Sequence, residues 1–244
     1  MKKITYLLFI TLAVLVTSCE LPDNIDPKYP ETVSADVLFT YGEVELANQV
    51  GSINENVNVS RLLAQYQSEV TYVTESRYNF SDRQIPDEYF VDFYEHILMN
   101  LKDAYNIIEE TAAATPTALA EKANKLAVIE VCNVYSYQVL VDAFGNIPYS
   151  EALMGTENSR PKYDDAKTVY DDLLARLNTA IGEMNTSYGS FGSADVMYGG
   201  NVAKWKQFAA SLKLRIGLRL ADVAGSNSDQ IVTEALATGV FSNE

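Results

Sequence analysis

From residue 35 onward, apolar residues recur at three- and four-residue steps, and the chain reads as helices joined by polar turns. Ser34 is placed to cap a first helix, 35–51, whose apolar positions include Val37, Leu38, Tyr41, Val44 and Leu46. A second helix is expected from Asn58 or Ser60, with Leu62, Leu63, Tyr66 and Val70 on one stripe. The period is then lost over residues 71–87, T-Y-V-T-E-S-R-Y-N-F-S-D-R-Q-I-P-D, which reads as a loop. Pro86 and Asp87 open a third helix that runs to about Ala113, since proline is favoured in a first turn. Its wide apolar face takes Phe90, Phe93, Tyr94, Ile97, Leu98, Leu101, Ala104, Tyr105 and Ile108. After the polar turn A-A-T-P-T, helix resumes over 117–144 and stops at Gly145-Asn146, with Pro148 just beyond. Further helices are expected over 165–184, 202–224 and 228–237, with a Gly/Ser-rich loop over 185–201.

Two of these helices share a pattern. Phe93, Tyr94, Ile97, Leu98, Leu101 and Ala104 are matched by Val169, Tyr170, Leu173, Leu174, Leu177 and Ala180, at a constant offset of 76 residues. Each opens a hairpin whose second helix carries small residues: Ala123, Ala127 and Cys132 in one; Ala209, Ala210, Ser211 and Gly217 in the other. Small residues let helices approach closely, and the offset is near two units of a tetratricopeptide-type array, whose repeat is about 34 residues. The expected fold class is therefore all-α, built of TPR-like helical hairpins.

The first 33 residues follow different rules. Lys2 and Lys3 precede an uncharged, mostly apolar run over 4–16, too short to span a bilayer, which takes about 20 apolar residues. Thr17 and Ser18 are small, and Cys19 follows. This order describes a signal peptide over 1–18 with cleavage before Cys19, as in a bacterial lipobox. Cys19 would carry the lipid, and two or more acyl chains make a lasting anchor. Residues 20–31, E-L-P-D-N-I-D-P-K-Y-P-E, have three prolines, four acids and no periodicity, so 19–33 reads as an extended tether. The helical domain is expected over 34–244.

Charge and composition narrow the function. With 18 Lys plus Arg against 33 Asp plus Glu, the formal net charge is −15, which repels phosphate backbones and argues against nucleic acid as a partner. Of two cysteines, Cys19 is assigned to lipid, and Cys132 falls in a helical apolar pattern as a small hydrophobe. No Walker loop, dinucleotide fingerprint or metal-ligand cluster is present, so no cofactor and no metal are expected. The single histidine, His96, has no nucleophile at suggestive spacing. The pairs Asp164-Asp165 and Asp171-Asp172 sit on adjacent positions, about 100° apart where helical, and cannot face each other across a sugar. Asp164 is read instead as the cap of the 165–184 helix. The chain is thus not expected to be an enzyme.

Binding has a candidate. The 72–89 loop brings together Tyr72, Arg77, Tyr78, Asn79, Phe80, Asp82 and Arg83. Sugars present apolar C–H faces and polar edges, and suit aromatic platforms beside amide, carboxylate and guanidinium groups. The candidate ligand residues are Tyr72, Arg77, Tyr78, Asn79, Phe80 and Arg83. A weaker candidate is the 187–200 loop, with Tyr188, Phe191 and Tyr198.

Three stretches carry a family resemblance: V-D-A-F-G-N-I-P-Y-S-E-A within 140–153, R-P-K-Y-D-D-A-K-T-V-Y-D-D-L-L-A-R-L-N-T-A-I at 160–181, and G-G-N-V-A-K-W-K-Q-F-A-A-S-L-K-L-R-I-G-L-R-L at 199–220. With the lipobox, they resemble in order and spacing the SusD/RagB family of outer-membrane nutrient-binding lipoproteins. The resemblance implies a SusD-like α-α superhelix of TPR-type pairs supporting a less regular second part. It implies capture of an extracellular nutrient, a glycan or oligosaccharide, for a SusC-like TonB-dependent transporter. In such proteins an early loop gives an aromatic and an asparagine to the glycan site. The acids after Cys19 resemble the surface-export signal of Bacteroidota lipoproteins, so the anchor would be an outer-membrane one facing outward. Family members usually continue for about as long again, so the chain is expected to be the N-terminal portion, truncated at its C-terminus. The competing expectation is a scaffold that docks the transporter and binds no ligand.

Overall fold

In a computed structural model, the described residues are 32–242, except 55, 56, 58 and 81. The signal peptide, Cys19 and most of the tether lie outside them. The helices are α1 (Ala35–Gly51), α2 (Ser60–Leu63), α3 (Ile85–Val91), α4 (Met99–Glu110), α5 (Pro116–Phe144), α6 (Ala166–Glu183), α7 (Val202–Arg219) and α8 (Ser228–Thr238). A π-helical stretch, Asp92–Leu98, joins α3 to α4 without a break. A two-residue hairpin pairs β1 (Ile147–Pro148) with β2 (Tyr163–Asp164), antiparallel, with Ile147 opposite Asp164. The fold is mainly helical, as the periodicity foretells.

Local chemistry sets the helix ends. Thr115 caps α5 through Ala118 N–H at 3.1 Å, with Pro116 at the first helical position. Asn201 caps α7 through Lys204 N–H at 3.1 Å. Asp165, not Asp164, caps α6, accepting from Lys167 N at 3.1 Å and Thr168 N at 3.2 Å. Asp164 is taken by the hairpin, where it accepts from Ser150 N at 2.7 Å and Ser150 Oγ. Helix α7 ends at Arg219, several residues before the expected 224. Hydroxyls compete for its last carbonyls: Ser228 Oγ donates to Gly217 O at 2.8 Å and Ser226 Oγ to Leu220 O at 2.7 Å.

From α4 onward each helix packs on the next: α4 on α5, α5 on α6, α6 on α7 and α7 on α8. Helix α1 lies on α4 and the π-helical stretch. The repeated motif is the core of this stack. Phe93, Ile97, Leu101 and Ala104 are fully buried, and so are Val169, Leu173 and Leu177, with Ala180 at 1% exposure. Burying such a side chain contributes about 1.5–3 kcal/mol. Helix α5 is long and apolar enough to cross a membrane, yet most of that window is buried among the other helices as the central core element. Cys132 sits inside it at 1% exposure. Gly217 shows why small residues recur: a Cβ there would stand 2.9 Å from Ile231 Cγ2 on α8.

A polar knot ties the 185–201 loop to this stack. Asp195, 2% exposed, accepts from the N–H groups of Met197 (3.1 Å), Tyr198 (2.8 Å) and Gly200 (2.9 Å) and from Trp205 Nε1 at 2.6 Å. Glu43, fully buried on α1, accepts from Val196 N at 2.9 Å and Met197 N at 3.2 Å. Its carboxyl also hydrogen-bonds that of Asp195. Beside the knot, the Phe39 and Phe191 rings stack at 3.8 Å between centroids, and Thr40 Oγ1 donates to Ala194 O at 2.6 Å. Asn124 on α5 closes the other end, accepting from Asn185 N at 2.8 Å and donating to three loop carbonyls. Gly200, at φ +79°, is obligatory: a Cβ would meet Gly192 N at 2.5 Å.

This knot explains two departures from the periodicity. The buried face of α1 is Phe39, Gly42, Glu43, Leu46 and Gln49, while Val37 and Tyr41 are exposed. Two polar residues on the inward face hide the true stripe. Phe191, read as a weaker ligand candidate, is 5% exposed and serves packing, and Tyr198 lies edge-on to Trp205 at 5.1 Å.

Burial, reinforced by the hydrogen bond to Asp195, pushes the Glu43 carboxyl from 4.5 up to about 8. The folded state therefore holds a proton that the unfolded chain releases near 4.5. This contribution to stability is complete below about 4.5 and is lost as pH rises to about 8. Chemical denaturation across that window is expected to give a wild-type stability that falls with pH relative to Glu43→Gln, whose side chain is neutral throughout. Parallel pH profiles for the two proteins would contradict a protonated Glu43.

Candidate ligand-binding site

The segment between α2 and α3 makes little regular structure, and its backbone shows why. Helix α2 stops after one turn because Gln65 adopts φ +59°. Gln65 N donates to Leu62 O at 3.0 Å and Tyr66 N to Arg61 O at 2.9 Å, the paired closure that usually places glycine at the left-handed position. The same closure ends the 3₁₀ turn Glu75–Arg77. Tyr78, at φ +60°, donates to Glu75 O at 2.9 Å and Asn79 N to Thr74 O at 3.0 Å. Tyr72 sits at φ +57° between them. Left-handed backbone costs a residue with a Cβ roughly 1–2 kcal/mol. Three such residues in one short segment mark it as a place where geometry is set against local preference.

The expected helix through Tyr66 and Val70 is therefore absent. Both are almost fully solvent-facing, at 85% and 94% exposure. What forms instead is an open cleft of about 820 Å³ beside Leu62. Its polar walls include Gln67, Ser68, Glu69, Thr74 and Arg83, and Tyr72 stands at its edge, 83% exposed. Glu69 is anchored by Ser76, whose N–H and Oγ reach Glu69 Oε2 at 3.2 and 3.1 Å. Ser76 Oγ in turn accepts from Glu69 N at 2.9 Å. Arg83 Nη1 stands 3.3 Å from Oε1 of Glu75, a carboxylate only 1% exposed.

Of the six residues expected to bind ligand, the fold brings Tyr72 and Arg83 to this cleft. The other four do not line it. Tyr78 donates its hydroxyl to Leu63 O at 3.2 Å and accepts from Gln65 Nε2 at 3.5 Å, which ties the loop to α2. Asn79 Nδ2 donates to Asp82 Oδ2 at 3.0 Å. Phe80 is partly buried, and Arg77 is exposed on the 3₁₀ turn. Ser68 and Glu69 were not legible as site residues, because the period placed 60–70 on a helix and no glycine announced the break at Gln65; Thr74 and Glu75 fell in the expected loop without being singled out.

Other candidate chemistry resolves into structure. His96 stands 3.9 Å from Asp92, one helical turn away on the π-helical stretch. Asp171 pairs with Lys167 at 2.6 Å, and Asp172 accepts from the Tyr149 hydroxyl. Among the described residues no cluster of His, Cys, Asp or Glu could hold a metal ion.

The described residues thus form a stack of helices with an irregular polar and aromatic segment inserted between early elements. The profile of the SusD-like family, described as starch-binding and associating with the outer membrane, matches residues 27–244. The chain belongs to that family. No curated protein is significantly similar in sequence. Among solved structures, a chitin-binding protein superposes with a TM-score of 0.70 at 24% identity, over 86% of this chain and 44% of that one. A SusD-like protein of Bacteroidetes gives 0.65 at 26% identity, over 86% and 38%. A chitin-binding SusD homologue from Flavobacterium johnsoniae gives 0.61 at 20% identity, over 83% and 43%. The chain thus spans roughly two fifths of the length of these structures.

Glycine tolerates the backbone that Tyr72 adopts. Tyr72→Gly is therefore expected to fold with a melting temperature equal to or above that of the wild type. A melting temperature several degrees lower would show that the Tyr72 ring supports the fold rather than standing free of it.

Proposed function

We propose that the chain is a cell-surface lipoprotein that binds an extracellular glycan and delivers it to a SusC-like TonB-dependent transporter. The family's description supports both the carbohydrate and the outer membrane. Two of the neighbours are named for chitin binding, which supports the same ligand class. The observation that carries the proposal is Tyr72. Its ring is held outward by an unfavourable backbone, at the edge of a cleft walled by hydroxyl, amide, carboxylate and guanidinium groups. An exposed aromatic face accepts the C–H face of a sugar, and the polar wall takes its hydroxyls. Tyr72 and Arg83 are the residues assigned to contact. Arg77, Tyr78, Asn79 and Phe80 shape the loop around them.

Binding rather than hydrolysis fits the carboxyl groups. Glycoside cleavage needs two of them flanking a sugar, about 5–9.5 Å apart. The carboxyls of Glu43 and Asp195 are shut inside the knot where no sugar reaches them. Lipid on Cys19 supplies the anchor in this proposal, and metabolic labelling with palmitate should fail in Cys19→Ala.

Calorimetry with maltohexaose and chitohexaose is expected to give saturable binding by at least one of them. Tyr72→Gly should weaken it at least tenfold, about 1.4 kcal/mol, the size of one lost stacking contact. No heat from either sugar, together with retained pull-down of the transporter, would favour the docking scaffold without ligand. Unchanged affinity in Tyr72→Gly would remove this cleft as the site.

A further inference from the structure

A guanidinium on a cleft wall is ordinarily a site for carboxylate or sulfate, because it offers two parallel N–H donors to a planar anion. The Arg83 guanidinium is differently placed. Its Nη1 faces Glu75, and that carboxylate is 1% exposed. Neither Glu75 oxygen meets a hydrogen-bond donor in good geometry among the described residues. Arg83 is thus the cation beside a carboxylate that water barely reaches. Swinging Arg83 toward a ligand anion would leave the Glu75 charge buried and uncompensated, which is strongly unfavourable. The second acid, Glu69, stands in the cleft wall itself, its Oε2 pinned by Ser76. One acid stands beside the guanidinium and a second belongs to the same cleft wall, in a chain whose net charge is −15.

Resting on the glycan reading of this cleft, we infer that Glu75 is a positioning residue that holds Arg83 away from ligand anions, so that the cleft selects uncharged sugars and rejects uronate-bearing ones. In this arrangement Glu69 accepts from sugar hydroxyls in the cleft wall. Specificity comes from an element set against the wrong ligand as well as from contacts to the right one. Glu75 itself needs no contact with the sugar.

The test compares chitohexaose with a hexamer of galacturonic acid by calorimetry at low and moderate salt, on the full chain. Wild type is expected to bind the neutral sugar at least tenfold more tightly. Glu75→Gln removes the carboxylate that restrains Arg83, and should raise affinity for the uronate about tenfold with little change for the neutral sugar. The gain should vanish in Glu75→Gln/Arg83→Gln and fade with salt. Glu75→Asp should restore most of the wild-type ratio. Should Glu75→Gln not fold, Glu69→Gln gives the second arm, and its neutral-to-uronate ratio should fall severalfold. Equal binding of both sugars by wild type, or an unchanged ratio in the variants that fold, overturns the inference while leaving the glycan site standing. Binding of neither sugar overturns the glycan site, and the inference with it.

Discussion

The buried carboxyl pair of Glu43 and Asp195 is the constraint on which the rest of the architecture depends. It joins the first described helix to a loop about 150 residues later and, through Trp205, to α7. Two carboxylates so close and so dry could not both be charged, and a shared proton turns repulsion into a hydrogen bond. The pair gathers four loop N–H groups and an indole N–H, those of Gly200 and Trp205 being buried. With Asn124 at the opposite end, a long glycine- and serine-rich connection becomes part of the scaffold. Helix α1 is thereby fixed against the hairpin stack, and α1 leads into the segment that bears the cleft.

The cleft obeys the opposite logic. The knot satisfies its polar atoms internally, whereas the 64–84 segment keeps side chains exposed and accepts three left-handed residues to do so. Among the described residues, three of the five left-handed non-glycine positions fall in this one segment, the others being Leu153 and Asn227. Glu75 extends the contrast into electrostatics, since a buried acid stands beside the arginine of the cleft wall.

The helices were legible because burial of one face leaves a period in the residues. The 76-residue offset between Phe93 and Val169 predicted equivalent cores, and both copies are buried as the pattern required. Legibility failed where polar atoms do the organising. Glu43 and Gln49 occupy the inward face of α1, so hydrophobicity pointed to Val37 and Tyr41 instead. Gln65 and Tyr78 take positions where glycine would have signalled a stop, so an expected helix through Val70 concealed half of the cleft. Adjacent aspartates differ by a single step of backbone, and only the hairpin register shows that Asp165 caps α6 while Asp164 serves Ser150. Tyr72 and Arg83 were readable as candidates by residue type. Glu69 and Glu75 were not, because their role arises from the fold of the loop.

Amide hydrogen exchange tests the dependence of the scaffold on the knot most directly. If Glu43 and Asp195 hold the 185–201 loop as part of the core, the N–H groups of Val196, Met197, Tyr198 and Gly200 will exchange as slowly as those of α5 around Val131, in one cooperative opening. Exchange of those four amides at the rate of an open surface loop, with α5 still protected, would contradict the account.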